Sequence, residues 1–159
     1  MYTTLNQIRA CSPCGLDPRK SPLTGYQLLV SHLPADFSPD APISIADILE
    51  SNGIDDALWC LQAVKGYDRE IRLLAVDFAR SVEHLTDDPR VKTCNDVAER
   101  FANGLATTDE LEAAGAAWAA WATGAAWAAA RAAGAAGAAA RAAQSTLLAI
   151  VCAEIEHRE

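Results

Sequence analysis

Few side chains in this sequence combine the type and the spacing of a reactive centre. Cys11 and Cys14, in "CSPC", have the CxxC spacing of a zinc half-site or a redox pair. A tetrahedral zinc site needs two more ligands, yet no second CxxC or HxxxH follows, and His32, His84 and His157 are scattered. A thioredoxin-like role requires a βαβ setting that the chain lacks. The reading is therefore two thiols in a turn, with no metal and no cofactor assigned. The carboxylate pairs Asp55-Asp56 and Asp87-Asp88 have the composition of an acid–base couple. Both stand where helices should begin, and there capping and the helix dipole account for acidic residues. No P-loop, GxGxxG, GxSxG or HExxH occurs. The sequence therefore reads as a non-enzyme.

The other chemistry is that of recognition. "AAWAAWATGAAWAAARAAGAAGAAARAAQ", from Ala116 to Gln144, holds three of the four tryptophans and two arginines. At about 100° per residue, Trp118 and Trp121 fall on a stripe with Leu111, Ala114, Leu147, Ile150 and Ile155. That stripe is expected to pack. Trp127 falls opposite, beside Arg131, Gly134 and Arg141. Arg131 is one turn on, close enough to stack its guanidinium on the indole. An aromatic next to arginine on an exposed helical face has the composition of a binding hot spot. Trp127, Arg131, Gly134 and Arg141 are accordingly the candidate partner-binding residues. The competing reading covers Trp127 with another part of the chain.

These residues depend on the elements that carry them. Residues 1–42 hold six of the seven prolines and read as turns with one short helix, starting at Ser21-Pro22 and running through "YQLLVSHL". Residues 43–159 read as a helical domain. Ser44 with Asp47 caps one helix, which Asn52-Gly53 ends. Asp55 is placed as the cap of "DALWCLQAV", and Asp68 as the cap of a helix with Ile71, Leu74, Ala75, Phe78, Ala79, Val82 and Leu85 on one face. Asp88-Pro89 opens the next helix, which Asn103-Gly104 closes. Thr107 with Glu110 is a capping box for an alanine-rich helix over about 108–155. That helix is either continuous, kinked, or folded into a hairpin near Gly134–Gly137. No stretch alternates with period two. The expected fold is all-α, a single domain of short helices plus the long one.

Bulk properties narrow the role. The chain has 159 residues and a net charge of −8. Such a charge repels phosphate, which argues against direct nucleic-acid binding; it can face a basic protein partner, or simply keep the chain in solution. Alanine inserts weakly into bilayers, and Arg131 and Arg141 would each cost about 3 kcal/mol at mid-membrane, so no membrane span is expected. Five cysteines make an odd number for a disulfide framework and fit free thiols in a reducing cytoplasm.

"QIRACSPC", "SNGIDDALWCLQAVKGYDREIRLLAVDFAR" and "DVAERFANGLATTDEL", followed by the Ala/Trp/Arg tail, resemble a family of small phage and prophage accessory proteins with an alanine-rich helical C-terminus. The last of these, with the tail, is also faintly similar to immunity proteins. The resemblance implies a mobile-element protein that inhibits a host defence complex by binding it. The specific expectation is an anti-CRISPR that engages a nucleic-acid-binding Cas subunit. An immunity-type protein that neutralises a toxin, and a self-associating helical protein such as a homodimer, are the alternatives.

Overall fold

Cap chemistry sets where the helices begin and end. Thr4 Oγ1 accepts from the Gln7 amide at 3.1 Å and opens α1, Leu5–Ala10. Thr24 opens α2, Gly25–His32, and its N–H donates to Gln27 Oε1 at 3.3 Å. Ser44 Oγ accepts from the Ala46 amide at 3.1 Å and opens α3, Ile45–Asn52. Gly53 ends α3 with φ of 85°, a left-handed conformation that glycine adopts without a Cβ penalty, and leads directly into α4, Ile54–Cys60. A 3-10 turn, Leu61–Ala63, follows. α5 spans Asp68–Ser81, and a second 3-10 turn, Glu83–Leu85, precedes α6, Pro89–Ala102. Asp88 caps α6, with proline at the first helical position, where no amide is needed. Thr107 and Glu110 form the reciprocal capping box at 2.7 and 3.2 Å.

This computed structural model describes residues 1–13, 24–81, 83–85, 87–115, 145–155 and 157. The protein is all-α, apart from one short antiparallel pairing of Tyr2–Thr3 with Ile43–Ser44. Residues 108–115 and 145–155 are helical, and the continuity of the alanine-rich helix between them lies outside the described residues.

The chain forms two compact units. The first comprises Met1–Tyr67 with Leu148–Glu159, the second Asp68–Leu147. In the first unit, Leu5, Ile8, Leu29, Ile45, Ile48, Ala57 and Cys60 are buried, as are Leu148, Cys152 and Ile155. The short pairing ties the start of the chain to α3: Ile45 N donates to Met1 O at 2.9 Å, and the buried Thr3 hydroxyl lies 3.3 Å from Ala63 O. In the second unit, α5 and α6 pack antiparallel. Arg69 Nη2 donates to Asn103 Oδ1 at 2.7 Å at one end, and Arg72 lies over the Phe101 ring at 5.0 Å. At the other end Arg80 reaches Asp96, Glu99 and Glu83. Asn95 is buried and donates to Glu83 Oε2 at 2.8 Å.

Five expectations need correction. α5 starts at Asp68 itself, so Asp68 lies in the first turn, where the helix dipole favours a carboxylate, and is not the cap. The proline-rich stretch holds two helices, because Thr4 caps α1 as well as Thr24 capping α2. α2 starts at Gly25, not at Pro22, because Thr24 is extended and supplies the cap. α4 starts at Ile54, so Asp55 sits inside the first turn and is not its cap. The helical wheel drawn through the alanine segment put Leu147 and Ile150 on the packing stripe. The buried residues there are Leu148, Cys152 and Ile155, while Ile150 is 48% exposed. The ends of that segment belong to different units, Leu111 to the second and 148–155 to the first, so they need not share one face.

Candidate functional site

Trp127, Arg131, Gly134 and Arg141 lie outside the described residues, as do Trp118, Trp121 and Cys14. What the structure does bring together is a set of residues in the first unit, on α2, α3 and α4.

The α4 sequence "IDDALWC" places Asp55 one turn before Trp59, and Asp56 one turn before Cys60. All four line a cavity of about 250 Å³. Gly25, Tyr26 and Leu29 of α2, Ile48 and Asn52 of α3, and Ile8 and Pro13 complete it. Asp55 is exposed and Asp56 and Trp59 are half-buried, while Leu29, Ile48, Ile8 and Cys60 are buried. The cavity thus has an apolar floor and an acidic, aromatic upper wall.

Its geometry is held by one amide. Asn52 Nδ2 donates to Gly25 O at 2.7 Å and to Asp56 Oδ2 at 2.8 Å, and Asn52 Oδ1 accepts from Ser51 Oγ at 2.9 Å. The end of α3 is thereby bound to the starts of α2 and α4. The Asp56 carboxylate packs directly on Gly25, where a Cβ would stand 2.6 Å from Oδ1 and 2.7 Å from Cγ. At those distances a Cβ would push the carboxylate aside, so glycine is what lets Asp56 lie this close to the backbone. Arg9 Nε donates to the Tyr26 hydroxyl at 2.5 Å. The Cys60 thiol is pushed up to about 12, first by burial, then by the negative charge of Asp56 and by Cys11. It is a neutral S–H at physiological pH and not an activated nucleophile.

A second, more open groove of about 520 Å³ runs along α2 and α3. Leu29, Leu33, Phe37 and Ile43 give it apolar surface, and His32, Asp47 and Glu50 line it as well. His32 Nδ1 donates to Leu28 O at 2.9 Å.

Charge separates these surfaces from the second unit. Between Thr24 and Val64 there are six carboxylates, at Asp36, Asp40, Asp47, Glu50, Asp55 and Asp56, and no lysine or arginine. All but Asp56 are exposed. In the second unit, by contrast, charges of both signs meet: Arg80 with Asp96 and Glu99, Arg90 with Asp88, Arg100 with Glu110. The sequence carried a signal for the first site, namely the one-turn spacing of the Asp and Trp/Cys pairs in α4. Asn52 and Gly25 carried none, because helix punctuation explains both as well as site-building does.

Among the described residues no group of three His, Cys, Asp or Glu is placed to hold a metal ion, and Cys11, Cys60, Cys94 and Cys152 are free thiols. Among the same residues no helix is long and apolar enough to cross a membrane. Compared with known proteins, the chain matches no family model, no curated protein and no solved structure.

Proposed function

We propose that this is a non-enzymatic binding protein whose first unit presents its acidic face to a basic surface of another protein. The observation that carries this reading is the single-sign charge from Thr24 to Val64, set around an apolar groove. Like charges in a stretch without counter-charges repel each other and cost folding stability, whereas the interspersed charges of the second unit offset one another. An unbalanced face supports fast, oriented association with a surface of opposite sign. The apolar lining from Leu33 and Phe37 supplies area that becomes buried on contact. A surface evolved to hold phosphate has the matching sign. A nucleic-acid-binding subunit of a host defence complex, such as a Cas subunit in the bacterial cytoplasm, is the partner class we favour. Trp127 and Arg131 would then form a second contact. A cationic toxin offers the same sign of charge, so an immunity role differs from this one in the partner and not in the mode of binding.

The test begins with capture from host lysate and identification by mass spectrometry, followed by titration of the purified candidate. Binding should weaken steeply between low salt and about 0.5 M salt, where screening acts within a few ångströms. The double reversal Asp47→Lys/Glu50→Lys should abolish it, and Trp127→Ala should cost about 2 kcal/mol if that indole is a hot spot. Salt-independent binding that survives the double reversal would refute the acidic-face reading.

A further inference from the structure

We infer that the cavity between α2, α3 and α4 is a socket for an arginine side chain of the basic partner, with Asp56 as its counter-ion. This rests on the reading of the first unit as a surface for a basic protein, and names what that protein inserts.

Three features of the cavity select the occupant. Its volume, about 250 Å³, is below the roughly 300 Å³ at which clefts begin to hold whole small molecules. One long side chain suits it better. Its wall combines Trp59 with the carboxylates of Asp55 and Asp56, and with Tyr26, whose ring already carries the Arg9 guanidinium 5.6 Å from its centroid. A planar guanidinium stacks on an indole and pairs with a carboxylate through parallel N–H donors, which an ammonium cannot match. Its floor of Leu29, Ile48 and Ile8 accepts the aliphatic stem.

Asp56 is prepared for this role. Asn52 fixes one of its oxygens and Gly25 leaves room for the carboxylate to lie flat against the backbone. Among the described residues no lysine or arginine pairs with it, and Arg9 nearby is engaged with the Tyr26 hydroxyl. Asn52 is neutral and brings no counter-charge to Asp56. A carboxylate already fixed by Asn52 loses little side-chain freedom when a guanidinium arrives.

The experiment uses the full-length protein and butylguanidinium, a mimic of the arginine side chain, followed by nuclear magnetic resonance. Saturable shifts should appear at the Gly25 amide, the Asn52 side-chain amide and the Trp59 indole. Pentanamide, the neutral analogue, should bind about tenfold more weakly, and pentanoate should produce no shifts at these groups. Asp56→Asn, which keeps an acceptor for Asn52, should lose the preference for the cation. Equal binding of pentanamide and butylguanidinium, or shifts confined to Asp47 and Glu50, would overturn the socket. The identified partner separates the two levels of argument. If it binds Asp56→Asn as tightly as the natural chain but fails with Asp47→Lys/Glu50→Lys, the acidic face stands and the socket falls. If butylguanidinium fills the cavity while no salt-dependent partner binds, the socket stands as a cation site and the partner reading falls.

Discussion

At the scale of single residues, burial and charge give Cys60 a pH signature. Its thiol is 4% exposed, and burial with Asp56 nearby pushes it from 9.0 to about 12. The folded form therefore holds its proton more tightly than the unfolded chain does. The sign follows directly: the stabilisation is complete below pH 9 and is lost as pH rises from 9 towards 12. The expected slope is on the order of 1 kcal/mol per pH unit within that window. Urea unfolding at several alkaline pH values should show Cys60→Ala losing this part of the decline, although its stability at neutral pH is lower. Equal slopes for the two proteins would mean that Cys60 ionises as freely as in water. The same residue illustrates what spacing alone can tell. The one-turn relation of Asp56 to Cys60 is visible in "DDALWC", but the burial that turns the thiol inert is not.

At the scale of elements, capping chemistry was the most legible signal. Ser44, Asp88 with Pro89, and the Thr107–Glu110 box all start helices as read, because each rule concerns atoms within one turn of backbone. The errors also have a local cause. Asp55 was a plausible cap, but Gly53 could both end α3 and begin α4, leaving no room for a separate cap. The α5–α6 pair depends on residues far apart in sequence, and its clearest lock is Arg80 between Asp96 and Glu99. Replacing Arg80 with methionine should cost about 1 kcal/mol, a modest figure because the arginine is part-exposed and solvent screens its pairs. The difference between variant and natural protein in urea should shrink at high salt. A salt-insensitive loss would assign the role of Arg80 to the packing of its aliphatic stem.

At the scale of the whole molecule, the last helical stretch belongs to the same compact unit as the first residues. Leu148 and Cys152 are fully buried there. Leu148→Ala should therefore cost roughly 2–4 kcal/mol, as core truncations do. Ile150→Ala, on a side chain 48% exposed, should change stability by less than about 0.5 kcal/mol. Thermal unfolding of the two variants decides between the observed phase of this helix and the one drawn on the wheel, which put Ile150 inward. The acidic face is also a property of this scale. Net charge reports only an excess of carboxylates, whereas the run from Thr24 to Val64, which has carboxylates and no lysine or arginine, places uncompensated negative charge within the first unit.

By itself the sequence determined that the chain is helical, and where most of its helices begin and end, since those outcomes depend on backbone groups and side chains a few residues apart. It also contained the run from Thr24 to Val64 that carries only negative charge. Only the tertiary structure decided which of those carboxylates stand beside aromatic rings, that Asn52 ties three helices together, and that residues 148–155 complete the unit begun at Met1. Contacts between residues distant in the chain depend on how helices are placed in space, and periodicity within one helix holds no information about that placement.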